Sequence, residues 1–423
     1  MTSARWVLDR CADLNAYSAR PDALERAYLT PEHAAVNTAV GAWMRDAGLD
    51  VETDAAGNLW GRRPGDPDHA GGAAPTGPEP ALVLGSHLDT VPDAGSYDGM
   101  LGVVLAVAVA ERLRTTELPF ALEVVGFSDE EGARFGKALL GSCAASGQWD
   151  AAWWDQQDSD GVSLREAFAR FGLVPDRVGD AARRPEDLVG YLEAHIEQGP
   201  HLEAADLPLG YVTTIAGARR FVLTVTGEAR HAGGTPYDRR HDALAAASEI
   251  VLAAERLARE SGCLATVGAL DVQPGAVNVI PGLVTMTLDL RARTDEERDA
   301  LWDRLQAAAG TVVEARGVTF AAEETHRAPS TACAPWLSEA VVAGIWKAVP
   351  GGEALGLWSP AGHDAMAMAA VTDVAMLFVR CHDGISHHPA EAVREDDVAL
   401  ALDALEAAVL AAAARYTQGE ATP

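Results

Sequence analysis

Short apolar runs alternate with helical patterns through the first third of the chain. Ala81–Gly85 is an unbroken apolar run of strand length, Met100–Leu113 is an apolar helix, and Ala121–Phe127 is a second buried strand ending in an acidic turn. Strands alternating with helices predict a mostly parallel sheet flanked by helices. Upstream, a helical region is expected over Ala23–Ala47, where Thr30-Pro31-Glu32 reads as an N-cap with proline at the first helical position. Gly61–Pro80 is polar and rich in Gly and Pro, and reads as a loop between strands.

From Ile215 to Ala328 the pattern changes. Arg219–Gly227 alternates, with Phe221, Leu223 and Val225 on one face, as in a half-buried strand. Asp242–Ala258 is helical, Ala265–Asp271 and Leu283–Arg291 are strands, Asp295–Ala315 is a second helix and Val318–Glu323 a last strand. Strand, helix, two strands, helix, strand is the ferredoxin-like order, a compact unit in itself. This segment holds 16 acidic residues and 13 arginines, a net charge of −3, against −26 for the remainder of the chain. The shift in charge density marks a separate domain over 215–328. The apolar strand and helix patterns resume after it, so the first domain is expected to be discontinuous, over 1–214 and 329–423.

A length of 423 residues fits two domains, and 48% hydrophobic with 22% charged residues is an ordinary globular composition. The formal net charge of −29 argues against a nucleic-acid partner and against an anionic membrane surface. The most apolar helical stretches are too short or too charged to span a bilayer, and Met1–Arg10 has no apolar signal-peptide core. Five scattered cysteines, odd in number and without any C-x-x-C pair, read as reduced thiols of a cytoplasmic protein. They also exclude a thiolate zinc site.

The candidate chemistry lies in turns beside these elements. Gly85-Ser86-His87-Leu88-Asp89-Thr90 follows a buried strand, where open parallel sheets place their binding residues. An H-x-D pair there suits an imidazole on a metal with a carboxylate fixing its other nitrogen, although a polar loop would carry the same residues. Asp98 precedes Gly99 at the start of the next helix, and Ser128-Asp129-Glu130-Glu131-Gly132 follows the second strand. Of two adjacent carboxylates, one can ligate while its neighbour accepts a proton. His195 in Glu193-Ala194-His195-Ile196-Glu197-Gln198-Gly199 and the pair His387-His388 before Pro389 complete the set. Each alone is an ordinary loop or core residue. Together they form a nitrogen and oxygen donor set for zinc, manganese or related divalent ions.

These motifs, from GSHLDTV through YDG, FSDEEGARFG, AHIEQGP, TVTGEARHAGGTP, PGAVNVIPG, LDLR and AGHDAM to DGISHHPAE, resemble the N-carbamoyl-L-amino-acid and allantoate amidohydrolases. That family is related to the dinuclear zinc aminopeptidases, and the similarity runs over nearly the whole chain. The resemblance implies an α/β, zinc-aminopeptidase-like catalytic domain with a mixed, mostly parallel sheet, and an inserted ferredoxin-like lid through which two copies dimerise.

Carried over by position, the resemblance implies that His87 and His195 bind one divalent ion and Glu131 and His387 another, with Asp98 bridging. The ions would be zinc, manganese, cobalt or nickel. Asp89 would support His87, and Glu130 would be the general base. His231 would stabilise the oxyanion across the dimer, Asn278 and Arg291 would hold the carboxylate of a small-molecule substrate, and Gln198 would touch its ureido group. At Gly362-His363 the backbone of the loop, Gly362 included, is the expected contact rather than the imidazole. Three positions depart from the family pattern: His388 stands for Asn, Gly234 for Thr and Tyr237 for Met. The expected reaction is hydrolysis of an N-carbamoyl-L-amino acid, with allantoate as the alternative substrate. An aminopeptidase or acyl-amino-acid deacylase, and a non-catalytic binding protein on the same scaffold, are further alternatives.

Overall fold

Helix α1 (Ala4–Leu14) begins at Ser3, whose hydroxyl accepts the Trp6 amide, and buries Val7, Cys11 and Leu14 at helical spacing. The computed structural model that contains it describes residues 2–66 and 79–419. Helix α2 (Pro31–Asp46) is capped by Thr30, as the sequence predicts, but the expected start at Ala23 is too early. Residues 23–30 turn instead around Arg26, a fully buried side chain. Its guanidinium donates to the carbonyls of Leu14, Tyr17 and Leu88. The carbonyls come from the end of α1 and the residues just after it, and from the residue after His87, so this one side chain ties the turn to both.

The chain divides into two units. The first comprises Met1–Thr213, Cys333–Leu357 and His363–Pro423, and the second Thr214–Ala332 with Trp358–Gly362. In the first unit a hairpin of β1 (Asp50–Thr53) and β2 (Leu59–Arg63) leads into β3 (Ala81–His87), β4 (Ala121–Phe127), β5 (Leu188–Ile196) and β6 (Leu209–Ile215). The expected loop at Gly61–Pro80 therefore starts later, because Gly61–Arg63 pair with β4, and residues 67–78 of it lie outside the described residues.

The second unit is built on β7 (Gly217–Thr226), β8 (Leu270–Gln273), β9 (Leu283–Ala292) and β10 (Thr319–Ala328), in the order β8-β9-β7-β10 and antiparallel throughout. The single strand expected over Ala265–Asp271 is two short ones, Leu264–Thr266 and Leu270–Gln273, interrupted at Val267–Ala269. Helices α3 (Ala243–Ser261) and α4 (Asp295–Arg316) pack on one face, where Phe221, Leu223 and Val225 meet Ile250, Leu301 and Leu305. Phe221 stacks on Trp302 with ring centroids 3.8 Å apart.

Returning to the first unit, β11 (Val374–Val379) inserts between β5 and β6, giving the order β1-β2-β4-β3-β5-β11-β6. β4, β3, β5 and β11 are parallel neighbours, while β1-β2, β2-β4 and β11-β6 are antiparallel, so the sheet is mixed. Every residue of β3, β4 and β11 is buried, as expected for a sheet covered on both faces. One covering element is the apolar helix Met100–Arg112, buried from Met100 to Ala110. No helix among the described residues is long and apolar enough to cross a membrane.

Candidate metal centre

Parallel β3, β4 and β5 end at one edge of the sheet, so the segments that follow them converge there. His87 is the last residue of β3 and pairs with Phe127 at the end of β4, after which come Ser128 to Glu131. His195 lies at the end of β5 beside Phe378 of β11, and the chain beyond β11 supplies Ser386, His387 and Glu391. Gly99 opens the helix that follows Asp98 with φ 70° and ψ −51°, a conformation that essentially only glycine adopts. A Cβ there would stand 2.5 Å from the His87 ring, so the missing side chain lets the helix start press against the imidazole.

Asp98 is the hub. Its Oδ1 is 3.1 Å from His195 Nε2 and 3.8 Å from His87 Nε2, whereas its Oδ2 is 3.0 Å from His387 Nε2. The His387 Nε2 is also 3.5 Å from Glu131 Oε1. Among the described residues, four sets of donor atoms at this centre gather within 4.8 Å: His87, Asp98 and His195; Asp98, Glu131 and His387; His87, Glu130 and Glu131; and Glu193, His195 and His363. His87, Asp98 and His195 are buried, whereas His387 is half-exposed. Asp89 fixes the geometry from behind: its oxygens accept the backbone N–H of Glu130 at 2.9 Å and of Glu131 at 3.1 Å. The other imidazole nitrogens are committed: His87 Nδ1 meets the Asp89 carbonyl at 3.1 Å and His195 Nδ1 the Ile196 carbonyl at 2.9 Å. That arrangement turns each Nε2 toward Asp98.

The electrostatics follow from crowding. Burial pushes the Glu130 carboxyl well above its usual range, with His87 opposing and Glu131 reinforcing the shift. Burial, then the charge of Asp98, pushes Glu131 up to about 7. Burial would raise Asp98 too, but its hydrogen bonds with His195 and His387 hold it well below the usual carboxylate range. Buried Asp129 and Asp364 are also pushed up by desolvation and neighbouring carboxylates. A buried set of imidazoles and mutually repelling carboxylates, with no thiolate, is one that divalent cations would fit.

Gln198 reaches into the same cluster. Its Nε2 is 3.2 and 3.1 Å from the two oxygens of Asp98 and 3.1 Å from Ser386 Oγ, while its Oε1 is buried without a partner. Gln198 and His387 both hold left-handed backbone, φ 55°, a strain of the kind that collects at functional sites. His388 stands apart: its Nδ1 accepts the Ala390 amide, as an Asn side chain would two residues ahead in a turn. Of the two neighbouring imidazoles, His387 is the one that faces Asp98 and Glu131.

The second unit carries the other expected residues. His231 and Val279 are partners in a two-stranded ladder beside Asn278, whose carbonyl accepts the Ala232 amide. The His231 Nδ1 accepts the amides of Gly233 and Gly234, which puts its proton on Nε2. Arg291 donates from Nε and Nη2 to Asp289 and from Nη1 to the Pro360 carbonyl, leaving two N–H groups of a fixed fork. Gly362 ends the Trp358–Gly362 segment of this unit.

Sequence reasoning missed two buried side chains of the centre, Glu391 and Glu193, and set aside a third, the His363 imidazole. Glu391 accepts the amides of Tyr97 and Asp98. Glu193 accepts Ser86 Oγ and the Ala365 amide, and His363 packs edge-on against His195 with centroids 4.5 Å apart. Glu193 and Glu391 lie inside motifs quoted for their histidines, and an acid beside the apolar run of β5 is the one signal that marks Glu193.

Residues 83–411 match the model of the peptidase family M20/M25/M40. The chain is 40% identical over 391 residues to an N-carbamoyl-L-amino acid amidohydrolase of Geobacillus stearothermophilus, covering 90% of this chain and 91% of that one. It is 38% identical over 414 residues to a probable allantoate deiminase of Oryza sativa subsp. japonica, covering 89% and 82%. Its fold matches the crystal structure of a hydantoinase/carbamoylase family amidase from Burkholderia multivorans with a TM-score of 0.87 at 31% identity, over 97% of this chain and 98% of that one. With the family match spanning most of the chain and the site's carboxylates and imidazoles gathered at one sheet edge, the protein belongs to the peptidase family M20/M25/M40, as a hydrolase of C–N bonds.

Proposed function

We propose that the chain is a dinuclear metal amidohydrolase that converts an N-carbamoyl-L-amino acid to the L-amino acid, ammonia and carbon dioxide. The division of Asp98 carries the reading: one oxygen faces His87 and His195, the other His387, which also neighbours Glu131. On this reading His87 and His195 would hold one cation and Glu131 and His387 a second, with Asp98 shared between them, and zinc, manganese, cobalt or nickel would all suit the donors. Such ions supply Lewis-acid polarisation of a carbonyl and lower the pKa of water. A ureido carbon needs that help, because two nitrogens donate into it.

Glu130, its proton affinity raised by burial, takes the proton of the attacking water and returns it to the departing nitrogen. Asp89 keeps both neighbouring carboxylates and His87 in place. Gln198 reads the substrate: reversing its amide would set Oε1 against the Asp98 oxygens, so Oε1 is the free acceptor and Nε2 the inner donor. A terminal ureido NH2 supplies the matching donor, which an acyl group lacks.

The second unit acts as lid and dimerisation domain. His231 offers its Nε2–H to the oxyanion of the partner copy's substrate, while Asn278, the two open N–H groups of Arg291 and the Gly362 backbone hold the substrate and its carboxylate. The five cysteines are buried and unpaired, which supports a cytoplasmic setting.

Allantoate is the second reading, favoured by the near-equal identity to the rice relative. An ammonia-release screen over carbamoyl amino acids, allantoate, ureidoglycolate and acyl amino acids, with zinc, manganese, cobalt or nickel supplied, separates them. Turnover is expected on a carbamoyl amino acid. Turnover on allantoate alone selects the second reading, and turnover on acyl amino acids alone, or none with any metal, overturns both.

A further inference from the structure

Glu391 lies outside every role assigned so far, yet it ties together the two segments that carry Asp98 and His387. Its side chain is 6% exposed and packs on Gly95, where a Cβ would come within 2.4 Å of it. The Oε1 accepts the backbone N–H of Tyr97 at 2.7 Å and of Asp98 at 3.2 Å. The Oε2 is 3.0 Å from Ser386 Oγ, the hydroxyl of the residue before His387.

Ser386 has one hydroxyl proton and two carboxylates within reach. Its Oγ lies 3.0 Å from Glu391 Oε2 and 3.2 Å from Asp98 Oδ2, and it accepts from Gln198 Nε2 at 3.1 Å. If the proton points at Asp98, it occupies a lone pair of the oxygen that faces His387. If it points at Glu391, that lone pair is left free, and Gln198 Nε2 at 3.1 Å is the donor that remains on the oxygen beside His387. Only an acceptor at Glu391 can draw the proton away.

We propose that Glu391 is a positioning residue that keeps the Ser386 hydroxyl proton off Asp98 Oδ2 and that oxygen aligned with His387, by taking the Ser386 proton and the Tyr97 and Asp98 amides. The proposal rests on the reading of Asp98 and His387 as metal ligands. Glu391 itself touches neither ion nor substrate.

E391Q separates this role from simple structural support. One amide oxygen still accepts the two backbone N–H groups, so the turn is retained. The amide nitrogen now donates to Ser386 Oγ, which turns the hydroxyl proton onto Asp98 Oδ2. Zinc affinity of the full-length, metal-stripped chain, measured by chelator competition, is expected to fall about tenfold in E391Q, within the range found for outer partners of metal ligands. Adding S386A removes the misdirected proton, so E391Q should cost less than about threefold in that background, a coupling typical of groups in one network. E391D provides the second variant: its shorter carboxylate cannot serve both the backbone pair and Ser386, and S386A should suppress its loss likewise.

Zinc affinity at the parent level in both E391Q and E391D overturns the proposal, as does an equal loss with and without S386A. H387A is the control for the underlying reading. If H387A binds zinc as the parent chain does, the ligand assignment fails, and the proposal with it. If H387A loses zinc while the Glu391 variants do not, the proposal alone fails.

Discussion

Gly99→Ala tests whether the start of the helix after Asp98 sets the position of His87. Two costs are separable. The backbone at φ 70° and ψ −51° is strained for any L-residue with a side chain, about 1–3 kcal/mol. The new methyl would also sit 2.5 Å from Cγ, Cδ2 and Cε1 of His87, about 1 Å inside ordinary contact, against a ring only 2% exposed. Overpacking of that kind costs about another 1–3 kcal/mol. Gly161 provides the comparison, with φ +77° and nothing within 4 Å of an added Cβ, so Gly161→Ala carries the backbone cost alone. Urea unfolding of the metal-free chains should place Gly99→Ala about 2–6 kcal/mol below the parent and clearly below Gly161→Ala. A ring displaced by about 1 Å should also lower turnover on the order of 10²-fold, while Gly161→Ala leaves it near normal. Equal stability and turnover in the two variants would refute the argument that the helix start positions His87.

Glu130→Gln should retain zinc and substrate affinity while kcat falls about 10²–10⁴-fold, checked by metal analysis with steady-state kinetics; undiminished turnover removes Glu130 as the base. His387→Ala should empty the site of metal more than His388→Ala, because His388 is used by the Ala390 amide; metal content of the two purified variants decides it. Arg291→Lys should raise KM for a carboxylate substrate, since a point charge cannot reproduce the fork held by Asp289 and Pro360; unchanged KM points to a solvated arginine. Hydrogen bonds from Arg219 and Arg327 hold Glu324 down to about 2, so its contribution is complete above pH 4.5 and fades as pH falls toward 2. Glu324→Gln should therefore lower urea stability by no more than about 1 kcal/mol at pH 7, with the gap closing in acid.

The apolar runs that became β3, β4 and β7 were legible because burial on two faces or one writes itself into the sequence as continuous or alternating apolar residues. Helix α1 was legible in principle, through the Ser3 cap and the spacing of Val7, Cys11 and Leu14, but a search of that segment for a targeting signal passes over it. The turn around Arg26 could not be read, because its cause lies in carbonyls at Leu14, Tyr17 and Leu88. At the site, the histidines and acids stood out by motif, and the structure brings His87, Asp98, Glu130, Glu131, His195 and His387 together. The supports did not stand out. Glu391 is tied to residues almost three hundred positions earlier, and no local pattern encodes a contact at that separation.

The insertion of β11 between β5 and β6 has a consequence for biosynthesis. A ribosome delivers β5 and β6 first, then the whole Thr214–Ala332 segment, and only later the strand that belongs between them. Until residue 379 has emerged, the edge of β5 that β11 will cover, Tyr191–Ile196, in which Tyr191, Leu192, Ala194 and Ile196 are apolar, has no native neighbour. Open apolar strand edges of this kind are templates for association between chains. The order of synthesis and the order of the sheet therefore disagree at the strand that carries His195, and a nascent chain must keep that edge from other chains while more than a hundred and seventy residues are added.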